Sequence, residues 1–217
     1  MALVMFDLDE TLVNGDCSSR WTEYMVQQGL ADGEEILATE QALMEDYYQG
    51  DLDMGAYMQM MLKPLIGMSV EELDARVREY VETCIRPHIR EDARTTVKQV
   101  LAQGDRPLVI SASPEYLVRP IARELGIEEV LGVKVEVDAQ GCLTGDVDGV
   151  MTYREGKVIR LEEWLEQHRE DMTGSAFYTD SHNDLPLLEK VAFPFAVTPD
   201  TQLQALATER GWPVLNW

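Results

Sequence analysis

The chain has 217 residues, enough for one core, or for a core with a smaller insert. Forty acids against 18 lysines and arginines leave a net charge of −22, a surface that repels nucleic acid and anionic lipid. It would repel a phosphate ester as well, so any anion site must supply its own positive charge from a metal, a lysine or backbone N–H groups.

Residues 1–7 carry no basic flank, and only about five apolar residues precede the first acid, too few for a signal peptide or a membrane span. Cys17, Cys84 and Cys142 lie far apart and are odd in number. They offer neither a metal spacing nor a disulfide framework, which fits a reduced cytoplasm. The fifteen glycines contain no phosphate-binding loop pattern, so no nucleotide cofactor is expected.

Leu3–Phe6 is a short apolar run that ends in acids, as a central parallel strand reads when its carboxyl end carries chemistry. From residue 18 to about residue 85 only helical patterns occur. The first contains Trp21 and Met25 and ends near Gly29. The second covers 34–48 and stops at Gly50. A third covers 53–62, before Pro64. A fourth begins at Ser69, with Glu72 completing a capping box, and Pro87 closes the block.

After this block, strands and helices alternate. Residues 91–103 read as a helix ended by Gly104, and 107–110 as a strand. Residues 114–125 read as a helix with Pro114 in its first turn. Two strands, 133–137 and 142–143, flank the turn signal Asp138-Ala139-Gln140-Gly141. A helix over 155–171, a strand over 176–178, a short helix over 185–190 and a strand over 192–197 follow. The expected fold is α/β: a doubly wound, Rossmann-like parallel sheet over 1–13 and 86–217, interrupted by an all-helical cap over 14–85.

Four polar clusters follow strands or open helices, where open α/β sheets bind ligands. The first is Asp7-Leu8-Asp9-Glu10-Thr11. Two carboxylates this close repel by about 4 kcal/mol at ~4 Å and an effective dielectric near 20, and Mg²⁺ relieves such repulsion. The second is Ser111-Ala112-Ser113-Pro114, a hydroxyl with free N–H groups at a helix start. The third is Lys157, a cation near a helix start, where the dipole does not favour it. The fourth runs from Thr179 to Pro186, with acids at Asp180 and Asp184. Each has a plainer reading alone: an acidic surface turn, an N-cap serine, a solvated lysine, an N-cap with an acidic first turn. Their order, each at a strand-to-helix junction, argues for one shared site.

Together these motifs resemble those of the haloacid dehalogenase superfamily, and specifically its phosphoserine-phosphatase-like branch, over nearly the whole chain. Asp7, Asp9 and Thr11 match the first motif, Ser111 the second, Lys157 the third, and Asp180 with Asp184 the fourth. The resemblance implies a Mg²⁺-dependent phosphatase acting on a small phosphate monoester. Asp7 is then nucleophile and metal ligand, and Asp9 the acid–base, with its backbone carbonyl also on the metal. Asp180 is the other ligand. Ser111 and Lys157 hold the phosphoryl oxygens, with Thr11, Ala112 and Asn183 beside them and Asp184 in support. A phosphoserine phosphatase, a phosphotransferase using the same phospho-enzyme, and a non-catalytic phosphate-accepting module are the competing readings.

The cap departs from phosphoserine phosphatases. Their glutamate after the first motif is matched here by Asp16. Their cap arginine for the substrate carboxylate has no counterpart over residues 54–65, which carry Met54, Met58, Met60 and Met61 with Lys63 as the one cation. Burying an unpaired carboxylate there would be costly. An amino-alcohol phosphate such as histidinol phosphate fits better, its ammonium on Asp16 or Glu23. Trp21 reads as cap core or as a stacking surface for substrate.

Overall fold

The computed structural model describes residues 1–217, the side chain of Tyr48 excepted. Strand β1 (Leu3–Phe6) is buried along its whole length. Four helices follow: α1 (Cys17–Gln27), α2 (Gly33–Gln49), α3 (Met54–Leu62) and α4 (Val70–Tyr80). Each starts on a side-chain cap. Asp16 accepts from the Ser19 N–H, Asp32 from Glu34 and Glu35, Asp53 from Ala56, and Ser69 from Glu72. These bonds satisfy amides that the helix itself leaves unpaired. Gly50 ends α2 at φ 82°, in the left-handed region that a side chain would strain.

A π turn (Val81–Ile85) and a 3₁₀ turn (Arg86–His88) lead into α5 (Glu91–Ala102). The remaining elements are β2 (Arg106–Pro114), α6 (Glu115–Arg123), β3 (Glu129–Val133), β4 (Val135–Val137), β5 (Leu143–Val147), α7 (Glu155–His168), β6 (Ala176–Thr179), α8 (Leu185–Leu188), β7 (Phe193–Val197), α9 (Thr201–Arg210) and β8 (Val214–Leu215).

Six strands form one sheet in the order β3-β2-β1-β6-β7-β8, every neighbouring pair parallel. The chain winds outward from β1 through β2 to β3, then returns to β6 on the other side of β1. The switch point is therefore at β1, and the carboxyl ends of β1, β2 and β6 lie side by side. This is the doubly wound sheet expected from the sequence.

The period-two alternation of strand side chains divides the core. Val4, Phe6 and Val109 enter an apolar cluster that continues into the helical block through Trp21, Met58 and Tyr80. Leu3, Met5, Leu108 and Ile110 enter a second cluster on the other face, with Leu161, Trp164 and Phe177. The helical block thus shares its core with one face of the sheet.

Hairpin β4–β5 stands apart from the main sheet and docks on the helical block. The Gly67 N–H donates to the Leu143 carbonyl at 2.9 Å, the Leu143 N–H to Met68 at 2.9 Å, and the Val70 N–H to Gly141 at 3.0 Å.

Four sequence expectations need correction. Pro114 closes β2 and caps α6 rather than lying in its first turn. The residue before a proline is biased to extended backbone, so the strand runs on through Ser113. The expected strand over 133–137 is the junction of two strands in different sheets, β3 and β4. The helix expected over 155–171 ends at His168, where Arg169 turns left-handed (φ 55°). Finally, α9 and β8 extend the fold beyond the last element expected.

Candidate active site

Asp7 leaves the carboxyl end of β1, and its N–H donates to the Tyr178 carbonyl on β6 at 2.8 Å. The residue is 5% exposed. Lys157, 2% exposed, reaches it from the first turn of α7, with Nζ 2.8 Å from Asp7 Oδ1 and 2.7 Å from Asp184 Oδ1. Asp184 is held from behind by the Thr179 hydroxyl, which donates to its Oδ2 at 2.6 Å. A lysine 150 residues from Asp7 in sequence thus bridges the first and fourth motifs.

The position of Lys157 depends on its neighbours. A Cβ on Gly156 would lie 1.9 Å from the Met151 carbonyl oxygen, so only glycine lets α7 begin there. Arg154 sits at φ 52°, a strained conformation for a residue with a side chain.

Asp9 is oriented at both oxygens. Oδ1 accepts the Cys17 N–H at the start of α1 at 2.6 Å, and Oδ2 accepts the Ser113 hydroxyl at 2.7 Å. The Ser111 hydroxyl lies 3.4 Å from the same Oδ2. Between Ile110 and Pro114 the pairing of β2 with β3 shifts register. Such irregularities re-aim side chains, and this one spans Ser111–Ser113. Thr152 fixes the loop by donating to the Ser111 carbonyl at 2.5 Å.

Charge is costly in this enclosure. Burial pushes the Asp7 carboxyl up to about 7; Lys157 opposes the rise, and Asp184 and Asp9 add to it. Burial, then the charges of Asp7 and Asp184, holds Asp180 well above the carboxylate range. Burial works against the charge on Lys157, yet Asp184 and Asp7 keep its ammonium above the ordinary value. Burial and the Asp9 charge raise Asp16 to about 8. This is an acid-rich centre with one buried lysine, the electrostatic profile that a hard cation would relieve.

One cavity of about 40 Å³ is lined by Asp7, Asp9, Ser111, Ala112, Lys157, Asn183 and Asp184. The helical block closes it with Asp16, Ser18, Met44, Tyr47, Met54 and Tyr57. The cavity therefore gathers most of the residues singled out from the sequence. Asn183 donates from Nδ2 to the Tyr47 carbonyl at 3.2 Å and so ties its motif to α2.

Four sequence-nominated residues stand elsewhere. Thr11 is fully buried behind Asp180: its hydroxyl donates to Oδ1 at 3.1 Å and accepts the Asp180 N–H at 3.0 Å. It holds Asp180 instead of lining the cavity. Asp180 itself faces a neighbouring cleft with His182 and Asp200. Trp21 is fully buried between Tyr24, Tyr80 and Tyr116, with ring centroids 5.1–6.1 Å away. It is aromatic core, and the substrate-stacking reading falls. Glu23, suggested for an ammonium, is exposed.

The methionines of α3 divide between core and cavity wall. Met58 and Met61 fill core, while Met54 lines the cavity. Sequence reasoning passed over Ser113, which holds Asp9, and the tyrosines Tyr47, Tyr57 and Tyr153. The repeated serine in Ser111-Ala112-Ser113 was the one available signal for the first; the tyrosines converge only through the fold.

Among the described residues, no three His, Cys, Asp or Glu side chains form a ready-made ion cage. Magnesium does not require one: it takes one or two carboxylates and completes its shell with water, carbonyl and phosphate oxygens. Asp7 and Asp180 are near enough for the charge of Asp7 to raise Asp180, a repulsion that such an ion relieves. No helix among the described residues is long and apolar enough to cross a membrane.

The chain has relatives among known phosphatases. A histidinol-phosphatase of Neisseria meningitidis is 39% identical over 99% of this chain and 98% of that protein. A phosphoserine phosphatase of Mycobacterium tuberculosis is 29% identical over the full chain and 71% of its own length. A crystal structure of a Bordetella pertussis protein of unknown function superimposes with a TM-score of 0.91 at 35% identity, covering 99% of this chain and 97% of the other. A substrate-bound phosphoserine phosphatase shares the fold at a TM-score of 0.70 and 20% identity, over 99% and 92% of the two chains. The family model for haloacid dehalogenase-like hydrolases matches residues 4–189, and with the phosphatases among its relatives the chain belongs to that family as a phosphoric monoester hydrolase.

Proposed function

We propose that this phosphatase hydrolyses a small amino-alcohol phosphate, with histidinol phosphate the leading candidate, through a phospho-aspartate on Asp7. The observation that carries the substrate class is the wall of the cavity. Among the described residues lining it, Lys157 is the one cation and Asp16 is the acid contributed by the helical block. Lys157 is already engaged with two carboxylates. A leaving group bearing a carboxylate would find no partner there, whereas an ammonium finds Asp16. The 39% identical relative is named for histidinol phosphate, which has such a leaving group.

The chemistry follows from the positions. An Asp7 carboxylate oxygen attacks phosphorus as the ester P–O bond breaks, and Asp9 gives its proton to the departing alkoxide. Water then attacks the phosphoryl group on Asp7, loses its proton to Asp9, and frees inorganic phosphate. The bonds from the Cys17 N–H and the Ser113 hydroxyl hold Asp9 in orientation. Lys157 and Ser111 receive the phosphoryl oxygens, with Ala112 and Asn183 beside them. Mg²⁺, held by Asp7, Asp180 and the Asp9 carbonyl, supplies charge neutralisation when bound. In this reading residues 14–85 are a cap over a catalytic unit of 1–13 and 86–217. About 40 Å³ accommodates roughly three or four waters at the ~10–15 Å³ each requires. The cap must therefore swing away to admit an ester.

The test is phosphate release from a panel of esters, with Mg²⁺ and with EDTA: histidinol phosphate, phosphoserine, phosphocholine, sugar phosphates and an aryl phosphate. Release is expected with Mg²⁺ and not with EDTA, and fastest from histidinol phosphate. Silence on every ester would refute the reading, and preference for phosphoserine would refute the substrate assignment. Loss of donor beyond the free phosphate formed, in the presence of an alcohol, would point to phosphoryl transfer.

Asp9→Asn should still trap phospho-enzyme from an activated aryl ester while slowing its hydrolysis by about 10²–10⁴-fold. Acid quench of labelled protein measures this. Wild-type dephosphorylation would remove Asp9 from the acid–base role.

A further inference from the structure

The segment before α7 brings to the cavity a residue that the chemistry above leaves without a task. Tyr153 lines the cavity together with Asn183, four residues before Lys157. The fold fixes its backbone on both sides. Thr152 donates to the Ser111 carbonyl, and the Tyr153 carbonyl accepts the Gly156 N–H at 2.9 Å. The Tyr153 hydroxyl donates to Asn183 Oδ1 at 3.3 Å. Its ring lies 6.1 Å from the ring of Tyr47 on α2.

Asn183 is 3% exposed, and its side-chain amide can face either of two ways. Its neighbours choose between them. The Tyr47 carbonyl can only accept, so the atom 3.2 Å from it is Nδ2. Oδ1 then falls to Tyr153, which has a proton to give. Burial raises the Tyr153 hydroxyl above its ordinary value; Arg154 opposes the rise and Asp184 adds to it. Nδ2 carries two N–H bonds, and the carbonyl takes one. The other is left for an anion in the cavity. A reversed amide would set oxygen against the Tyr47 carbonyl and against phosphoryl oxygens, acceptor against acceptor.

The two contacts do not last equally. The end of α2 seats closely here: a Cβ on Gly50 would lie 2.9 Å from Arg154 Nη2, 3.1 Å from His182 Nε2 and 3.5 Å from Asn183 Oδ1. When the helical block moves aside to admit an ester, the Tyr47 carbonyl leaves with α2. Tyr153, tied between the Ser111 loop and α7, stays with the sheet.

We propose that Tyr153 is a positioning residue, whose hydroxyl holds the Asn183 amide with Nδ2 turned to the phosphoryl group and keeps it so while α2 is withdrawn. The proposal rests on the reading above that Asn183 stands beside the phosphoryl oxygens.

The test is the inhibition constant of inorganic phosphate against an aryl phosphate, on the full-length protein with Mg²⁺. Phosphate has no leaving group, so any contact of the Tyr153 ring with an alcohol drops out. Tyr153→Phe keeps the ring and removes the hydroxyl. It should raise the constant by about fivefold, the worth of one ordinary hydrogen bond. Asn183→Ala should raise it by about tenfold or more, since a bond to a charged group is lost. In the double variant Tyr153→Phe should add less than about twofold, because the amide it orients is gone. Asn183→Ser serves the same cycle if the alanine variant does not fold. On esters, kcat/KM of Tyr153→Phe should fall alike for histidinol phosphate and the aryl phosphate. Unchanged phosphate inhibition in Tyr153→Phe would overturn the proposal. So would a fivefold effect that persists beside Asn183→Ala, since Tyr153 would then act through Lys157 or the fold. A loss confined to histidinol phosphate would make Tyr153 a contact of the leaving group and overturn it too. Those three results leave the phosphate role of Asn183 standing. Wild-type inhibition in Asn183→Ala would overturn that role and the proposal together.

Discussion

Replacing Asp7 by asparagine should abolish turnover, by about 10⁴-fold or more, and leave the protein folded. Loss of a covalent nucleophile removes the first chemical step outright, and no neighbour in the cavity replaces it. The side chain nevertheless contributes little to holding the fold. Burial lifts the Asp7 carboxyl to about 7, well above its unfolded value of 3.8. The sign follows: a group whose folded pKa is raised binds its proton more tightly when folded, so its ionisation lowers stability as pH rises from about 4 through 7. At pH 8 without metal the wild type bears that cost in full, and the asparagine variant does not. Lys157 keeps its partner Asp184 at 2.7 Å. The melting temperature of Asp7→Asn in EDTA at pH 8 should therefore equal or exceed that of the wild type. Near-normal turnover in this variant would show that the nucleophile is another residue. A large drop in melting temperature would show that the Asp7–Lys157 pair holds the fold, contrary to the argument.

Replacing Lys157 by methionine should have the opposite balance, costing both activity and stability. The lysine is the one buried cation against Asp7 and Asp184, with Asp180 adding its charge nearby. Breaking a buried pair from one side leaves the acids uncompensated, at about 3–5 kcal/mol. The loss must depend on pH. Without the lysine the Asp7 carboxyl rises further above its unfolded value, so it is protonated at pH 5 and stands uncompensated at pH 8. The lysine's own raised pKa keeps it charged across that window. Urea unfolding in EDTA should show a small difference from wild type at pH 5 and a several-fold larger one at pH 8. Adding Asp184→Asn should restore part of the loss at pH 8. A difference that ignores pH would mean that Lys157 acts by packing alone.

Much of the centre was legible because its residues announce themselves locally. Leu3–Phe6 ends in Asp7 and Asp9, and an apolar run that stops on acids is readable without a partner strand. The helices of the insert are local too: their patterns stop near Gly29, at Gly50 and before Pro64, and the fourth opens on the Ser69–Glu72 capping box. What escaped is what depends on contacts between distant segments. Ser113 resembles any serine before a proline until the shift of β2 against β3 aims it at Asp9. Thr11 fits the first motif, but only the neighbouring β6 segment shows that its hydroxyl is occupied by Asp180. Glu40 lies among exposed acids of α2 in the sequence, and only packing against Ser19 and Thr22 separates it from Glu34, Glu35 and Glu45. β3 was obscured because Gly132 interrupts a short run that changes sheets one residue after Val133.

The docked hairpin bears on how the cavity opens. Three backbone bonds fasten β4–β5 to residues 67–70 of the helical block. At about 1 kcal/mol net each, parting them costs about 3 kcal/mol, which would hold an opened form without the hairpin more than a hundredfold below one that keeps it. The lower-energy course is for block and hairpin to travel as one body. That body is then moored to the sheet by four crossings of the chain instead of two: one pair near residues 14 and 89, the other near residues 134 and 148. Two moorings a distance apart suppress twisting and leave a single axis, the motion of a door. The aperture would then face one side of the molecule on every cycle, so ester and freed alcohol would pass through the same gap.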